Sequence, residues 1–325
     1  MEFRKIFTLS GPDEFGSTAL EIFRHQYDNN AVYREFCDHL SRTPMNVHQL
    51  QQIPFLPIEF FKSREVTSTT NPPKTIFTSS GTTGTLNSKH LVPDLQVYEE
   101  SYTKAFGLFY GPISDYCVLA LLPSYLEREG SSLIYMVNDL IHKSGHPDSG
   151  FYLDNMDSLH QKLLEMEGRG QKVLLIGVSF ALLDLVEKHP MTLNHTIVME
   201  TGGMKGRRKE MIREELHGIL KKGLGTKTIH SEYGMTELLS QAYSKGDGLF
   251  RSPPWMKILV RDPEDPLTLQ EHGKTGGINV IDLANFHSCP FIATQDLGKV
   301  YPDGSFEVLG RFDHSDIRGC NLMVL

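Results

Sequence analysis

Four cysteines in 325 residues are too few for a disulfide scaffold, and the spacing of Cys37, Cys117, Cys289 and Cys320 makes no zinc-ligand pair. Free thiols in a reducing compartment are expected. Basic residues are in deficit, with 32 Lys and Arg against 40 Asp and Glu and a formal charge of -8. A chain that grips nucleic acid through its phosphates is not expected on that balance. Long apolar runs are missing as well. The two longest, 117–122 and 173–178, fall far short of the ~20 residues of a membrane span, so no membrane span is expected. No apolar stretch follows Arg4 and Lys5 before Gly11-Pro12 breaks the segment, so no signal peptide is read and a cytoplasmic protein is expected.

What is present is enough for a core. Apolar residues make up 39% of the chain, including 18 Phe and 12 Tyr, and the length fits roughly two domains or one large α/β domain with an appendage. Apolar residues at helical spacing over 14–40, with a break near Asp28-Asn29-Asn30, predict two helices. The aromatic stretch 53–62 contains Pro54 and Pro57, which predicts an extended segment packed on the core. Beyond it, short apolar runs at 75–78, 117–122, 173–178, 196–199 and 226–229 predict strands. They alternate with amphipathic segments at 94–109, 131–143, 155–167, 181–188 and 209–222, which predict helices. Such alternation indicates an α/β fold with a largely parallel sheet. After residue 248 the texture changes to short strands at 257–261, 277–282, 298–301 and 305–309, with Tyr301-Pro302-Asp303-Gly304-Ser305 as a hairpin turn. The expected organisation is a helical segment over 1–65, an α/β core over 66–247 and a β-rich subdomain over 248–325.

Three segments carry chemistry. Thr78-Ser79-Ser80-Gly81-Thr82-Thr83-Gly84-Thr85, with Lys89 beyond it, follows a predicted strand. Its hydroxyls, main-chain donors and glycines suit phosphate oxygens, although it lacks the Walker spacing and its composition also fits a surface linker. His230-Ser231-Glu232-Tyr233-Gly234-Met235-Thr236-Glu237 joins an aromatic ring, a glycine for close approach, a hydroxyl and a carboxylate, the parts needed to hold a magnesium nucleotide. The same residues also make an ordinary strand-to-helix turn. Gln295-Asp296-Leu297-Gly298 and Gly310-Arg311-Phe312-Asp313 offer an acceptor and a donor for vicinal hydroxyls, or simple turn chemistry. Among the histidines, His90, His230 and His287 lie near these segments without metal-ligand spacing.

Taken in order, these motifs resemble the core motifs of the adenylate-forming (acyl-CoA synthetase-like) superfamily, over residues 78–320. Residues 53–62, Leu122-Pro123-Ser124-Tyr125-Leu126-Glu127-Arg128 and Glu200-Thr201-Gly202-Gly203-Met204-Lys205-Gly206 are most similar to the LuxE-type acyl-protein synthetase branch. The resemblance implies the large N-terminal domain of that fold, without the small mobile C-terminal domain and its lysine. It implies ATP and Mg²⁺ as cofactors and a carboxylic acid, in this branch a fatty acid, as substrate. On the matching positions, Ser79, Ser80, Gly81, Thr82, Thr83, Gly84 and Thr85 would wrap phosphates. Tyr233 beside Gly234 would stack on adenine, Thr236 would bond a phosphate and Glu237 would hold the metal. Asp296 and Arg311 would hold the ribose, Gly202 and Gly203 would allow close approach, and Lys205 would contact the α-phosphate or carboxylate. The acid would lie among Tyr125, Ser179, Phe180, Gly202 and Gly203.

The implied activity is an ATP-dependent acyl-protein synthetase that loads the acyl group onto a thiol near its C-terminus, for which Cys320 is the candidate. An acyl acceptor or reductase protein would then take the group. Two other readings stay open: transfer to CoA or a carrier protein, and a nucleotide- or acyl-adenylate-binding module with little catalysis. Cys37, Cys117 and Cys289 are read as structural.

Overall fold

The chain begins as two helices, α1 (Pro12–Asn29) and α2 (Ala31–His39), split at the expected place. Asn30 makes the break: its side chain accepts from the Tyr33 amide to cap α2, and its amide donates to the Ser288 carbonyl at 2.9 Å. Gln26 donates to the Phe286 carbonyl at 2.6 Å, so both buried amides tie the N-terminal helices to the loop at 286–288. The structure is a computed structural model that describes residues 3–79, 86–122, 130–152, 155–202, 208 and 211–312.

The elements that follow are β1 (Leu56–Pro57), α3 (Phe60–Ser63), β2 (Thr75–Thr78), β3 (Lys89–Val92), α4 (Leu95–Tyr110), β4 (Cys117–Leu121), α5 (Ser132–Ser144), β5 (Gly150–Phe151) and α6 (Met156–Gly168). Then come β6 (Val173–Val178), α7 (Ser179–Lys188), β7 (Thr196–Thr201), α8 (Arg213–Leu224), β8 (His230–Tyr233), β9 (Ala242–Ser244), β10 (Leu249–Arg251), β11 (Met256–Arg261), β12 (Gly276–Asp282), β13 (Phe291–Val300) and β14 (Phe306–Arg311). Side chains of Asp94, Ser131 and Asn155 accept amide hydrogens to start α4, α5 and α6, which is why those starts were legible in the sequence.

Among the described residues one sheet runs β11-β12-β13-β14-β10-β9-β8-β7-β6-β4-β5, with β1 added beside β13, and β2 and β3 form a separate hairpin. From β5 to β8 the pairing is parallel. In β4 and β6 every residue is buried, as expected of strands covered on both faces. From β9 onward the pairing is antiparallel, and the sheet continues across residue 248 without a break. α5 packs on β4, while α7 packs on β6 and β7 and against α8. No described helix is long and apolar enough to cross a membrane.

Three expectations need correction. Residues 226–229 form no strand; they lead from the end of α8 into β8, which begins at His230. The stretch 53–62 is extended only as far as Pro57, where Leu56 and Pro57 pair with Ile292 and Ala293, and then turns into α3. The strand read at 298–301 is the end of the ten-residue β13, whose front half carries Thr294 and Asp296 on its buried side. Polar residues facing inward concealed the alternation.

Asn30→Ala removes the cap and leaves the Ser288 carbonyl without its donor. A loss of about 2 kcal/mol is expected, read as a fall in Tm of several degrees by calorimetry, whereas a change within error would show that these helices are not held by Asn30.

Candidate active site

In open α/β sheets ligands bind beyond the carboxyl ends of the parallel strands, and here those ends carry the motifs. Ser179 follows β6, Gly202 follows β7, and Tyr233 and Gly234 close β8. The Ser179 hydroxyl lies 2.8 Å from the Gly202 carbonyl and 3.2 Å from the Glu200 carboxylate. Gly202 takes φ 68°, a conformation that side chains resist. Glu200 is buried with Arg213 Nε at 3.3 Å and His217 Nε2 at 3.6 Å. Burial raises its affinity for protons, but the His217 contact and the Arg213 charge outweigh it and hold the carboxyl below its ordinary value.

Asp296 of β13 and Arg311 of β14 are register partners. Arg311 Nε lies 3.4 Å from Asp296 Oδ1, and the Tyr233 hydroxyl donates to Oδ2 at 2.8 Å. The arginine side chain is 81% exposed and the aspartate 12%, so this ion pair faces outward and contributes little stability of its own. The Tyr233 ring meets Phe250 and Phe306 edge-on, at 6.0 and 5.8 Å between centroids. Burial, then the Asp296 charge, push the Tyr233 hydroxyl well above its ordinary value, which keeps it a donor. Three residues that are 63 and 15 positions apart in the chain thus meet at one place.

Between Gly234 and Gln241 the backbone is neither helix nor strand, yet its groups are held. His90 of β3 puts Nδ1 at 2.9 Å from the Thr236 carbonyl and Nε2 at 2.8 Å from Ser288 Oγ. That arrangement assigns the proton to Nδ1 and the accepting role to Nε2. Burial pushes His90 down to about 4. The Glu237 carbonyl accepts from Asn285 Nδ2 at 2.6 Å, and Leu239 N and Ser240 N both donate to Asp282 Oδ2 at 2.9 Å. Asp282 Oδ1 takes the Ser240 hydroxyl at 2.6 Å and Ala284 N at 3.1 Å. Burial nonetheless pushes this carboxyl up to about 6.

The Glu237 carboxyl is 95% buried beside the Ser88 hydroxyl, and burial pushes it above its ordinary value while Ser88, Arg311 and Lys62 pull it back. Ser88 links it to the Ser/Thr-rich loop: Ser79 N donates to the Ser88 carbonyl at 3.1 Å and Ser88 N to Ser79 Oγ at 2.9 Å. The base of that loop therefore stands at the Glu237 carboxyl. Lys89, paired with Thr78 across the hairpin, is exposed.

Of the residues named from the sequence, the structure gathers Ser79, Gly202, Tyr233, Gly234, Thr236, Glu237, Asp296 and Arg311 along this edge. Ser80, Gly81, Thr82, Thr83, Gly84, Thr85, Gly203, Lys205 and Cys320, with Tyr125 of the acid site, lie outside the described residues. His90, Glu200, Asp282 and Asn285 were missed as positioning residues. The available signal for Asp282 was the polar end of an otherwise apolar run, 276–281. Cys37, Cys117 and Cys289 are buried thiols, pushed up by burial to about 12, to about 11 and, for Cys289, beyond.

His90 also sets a pH dependence. Its folded value of about 4 lies below the ordinary 6.5, so the unfolded chain takes up a proton that the folded chain refuses. Stability is complete above pH 6.5 and falls as the pH drops toward 4. His90→Asn keeps a donor for the Thr236 carbonyl and removes that proton site, so urea melts across this window should show a slope flatter by up to ~1.4 kcal/mol per pH unit. An unchanged slope would exclude a buried neutral His90.

A family model described as "Acyl-protein synthetase, LuxE" matches residues 13–110. The long-chain-fatty-acid–luciferin-component ligase of Vibrio harveyi is 23% identical over 92% of this chain and 84% of its own length. The ligase of the same name from Aliivibrio fischeri is 22% identical over 93% of this chain and 85% of its own. Among solved structures, an open 2-hydroxyisobutyryl-CoA ligase in complex with 2-HIB-AMP and CoA superposes at TM-score 0.69, with 11% identity, over 96% of this chain and 78% of that one. ATP-bound MatB from Rhodopseudomonas palustris superposes at TM-score 0.54, with 18% identity, over 73% of this chain; the match spans 47% of MatB. The resemblance drawn from the motifs is shown: the chain has the fold of the adenylate-forming superfamily and is similar in sequence to the LuxE-type acyl-protein synthetases.

Proposed function

We propose that this protein is an ATP-dependent acyl-protein synthetase: it activates a carboxylic acid as its acyl-adenylate and passes the acyl group to a thiol, that of Cys320. The observation that carries the proposal is the meeting of Tyr233, Asp296, Arg311 and Glu237 at one sheet edge, with the Ser/Thr-rich loop rooted beside Glu237. The names of the sequence relatives supply the class of acid, a long-chain fatty acid.

The residues fit a magnesium nucleotide. Asp296 is committed to Tyr233 at Oδ2 while Arg311 stands outward, so an acceptor and a donor are offered together to the ribose hydroxyls, with adenine against Tyr233. A buried carboxyl such as Glu237, disfavoured as an anion by desolvation, gains from a cation. No group of three His, Cys, Asp or Glu that would hold an ion by itself occurs among the described residues. Mg²⁺ held by Glu237 would therefore take its remaining ligands from phosphates and water, its usual manner in nucleotide sites. When bound, it neutralises charge on the phosphates.

The chain's own groups do the rest. The acid's carboxylate oxygen attacks the α-phosphorus and pyrophosphate leaves, with no proton transferred. Hydroxyls and amides of Ser79, Ser80, Gly81, Thr82, Thr83, Gly84 and Thr85, the Thr236 hydroxyl and Lys205 stabilise the charge on the phosphates. Gly202 and Gly203 let the mixed anhydride lie against the backbone. In the second step the Cys320 thiolate attacks the acyl carbon, the thioester forms and AMP leaves. The loaded group then goes to an acyl acceptor or to a reductase protein. A reducing cytoplasm suits an enzyme that depends on a free thiol.

Pyrophosphate exchange and labelling test the two steps separately. Glu237→Gln should lower ATP–pyrophosphate exchange about a hundredfold, and Arg311→Ala should raise the KM for ATP about tenfold. Cys320→Ala should keep the exchange while losing the hydroxylamine-sensitive label from radioactive fatty acid and ATP. Exchange that survives Glu237→Gln removes the proposed metal site, and label that survives Cys320→Ala removes the proposed acceptor.

A further inference from the structure

Across β7, β8 and β9, Thr201, Glu232 and Tyr243 are register neighbours and share one face of the sheet. Glu232 is 9% exposed and Thr201 3%. The Thr201 hydroxyl donates to Glu232 Oε2. The other oxygen lies against Gly234: a Cβ there would come within 2.4 Å of Glu232 Oε1 and 3.4 Å of Gln241 Cγ. The Gly234 Cα and the ends of both polar side chains therefore occupy the same small space.

Two acceptors in that space go without a donor. Gln241 is 3% exposed and its Oε1 has no hydrogen-bond partner. No donor from the described residues reaches Glu232 Oε1. The groups that might have served are engaged elsewhere: the Tyr98 hydroxyl donates to the Ser132 carbonyl at 3.0 Å, and Trp255 Nε1 lies 3.0 Å from both Ser101 and Ser240. A buried polar atom left unpaired costs about 1–3 kcal/mol, so two together are a feature to be accounted for. Burial also pushes the Glu232 carboxyl up to about 7, with the charge of Glu200 adding to the rise.

The place of these acceptors supplies the account. Thr201 immediately precedes Gly202, and Gly234 immediately follows Tyr233, so the pair lies at the carboxyl ends of β7 and β8. Under the acyl-protein synthetase reading, on which this inference rests, that is where the reacting end of the acid sits. A saturated acid would seal two unsatisfied oxygens under apolar methylenes. We propose that the acid taken by this protein carries a hydrogen-bond donor, a hydroxyl or an amino group, on one of the carbons nearest its carboxylate, and that Glu232 and Gln241 receive it. Both are specificity-determining residues here, and neither touches the phosphates.

ATP–pyrophosphate exchange by the parent protein measures this directly. The acids are decanoate, its α-hydroxy and β-hydroxy derivatives and its β-amino derivative, with the same four compounds at a shorter and a longer chain length. At least one donor-bearing acid should exceed its plain counterpart about tenfold or more in kcat/KM, because a site built to bond a donor discriminates strongly against an analogue that lacks it. The hydroxy and amino arms identify which donor is read. Gln241→Met should bring the ratio toward one while keeping exchange with the plain acid, which shows that the variant is folded. Equal exchange of plain and substituted acids by the parent would overturn the inference and leave the adenylation reading standing. ATP binding without exchange of any acid would overturn adenylation, and this inference with it.

Discussion

The site depends on holding an irregular stretch of backbone. Residues 234–241 carry Thr236 and Glu237 but are neither helix nor strand, so their amides and carbonyls lack the partners that regular structure supplies. Asp282 and Asn285 take the amides of Leu239 and Ser240 and the carbonyl of Glu237, and His90 takes the carbonyl of Thr236. Each anchor is fixed in its turn. Asp282 ends β12 at its pairing with Met256, His90 pairs with Phe77 in the hairpin, and Ser288 joins His90 to the loop that receives Asn30. The N-terminal helices, the hairpin and the antiparallel strands thus converge on eight residues of backbone.

This convergence explains why the N-terminal region is integral to the site. α1 and α2 contribute no residue to the proposed chemistry, yet Gln26 and Asn30 fix the 286–288 loop, and that loop orients the imidazole that holds Thr236. Phe61, on α3, packs edge-on against the same imidazole at 5.8 Å. A ring so enclosed is held in one tautomer, and the carbonyl it binds is held with it.

The fold was legible in the sequence wherever local chemistry and tertiary context agree. The wholly apolar strands β4 and β6, the capped starts of α4, α5 and α6, and the turn at 301–305 were all readable for that reason. Reading failed where polar residues point inward. Thr294 and Asp296 sit on the buried side of β13, and a period-two pattern interrupted by buried polar residues does not look like a strand. The short β9 and β10 carry too few residues for any pattern to emerge. The motif residues of the candidate site were legible because their types are chemically distinctive. Their supports, His90, Asp282 and Asn285, were not, since a histidine in a strand or an aspartate at a strand end says nothing about a partner more than a hundred positions away, as for His90 and Thr236.

The same inward polarity gives the site its electrostatic character. Asp296 is the one carboxylate here that stays partly open, and the Tyr233 hydroxyl and Arg311 satisfy it from opposite sides. Glu237 and Glu232 are enclosed, and desolvation raises the proton affinity of both. Their remaining partners differ in kind. Glu237 has Ser88, at the root of a loop rich in donors, with Arg311 and Lys62 within electrostatic reach, an environment suited to anionic phosphates and a cation between them. Glu232 has Thr201 and the amide of Gln241, an environment suited to a neutral or cationic donor and to nothing anionic. Five residues apart on one strand-and-turn segment, the two carboxyls divide the edge into a phosphate side and an acid side. What separates them is Tyr233 and Gly234, one filling the space beside Asp296 and the other leaving space for Glu232.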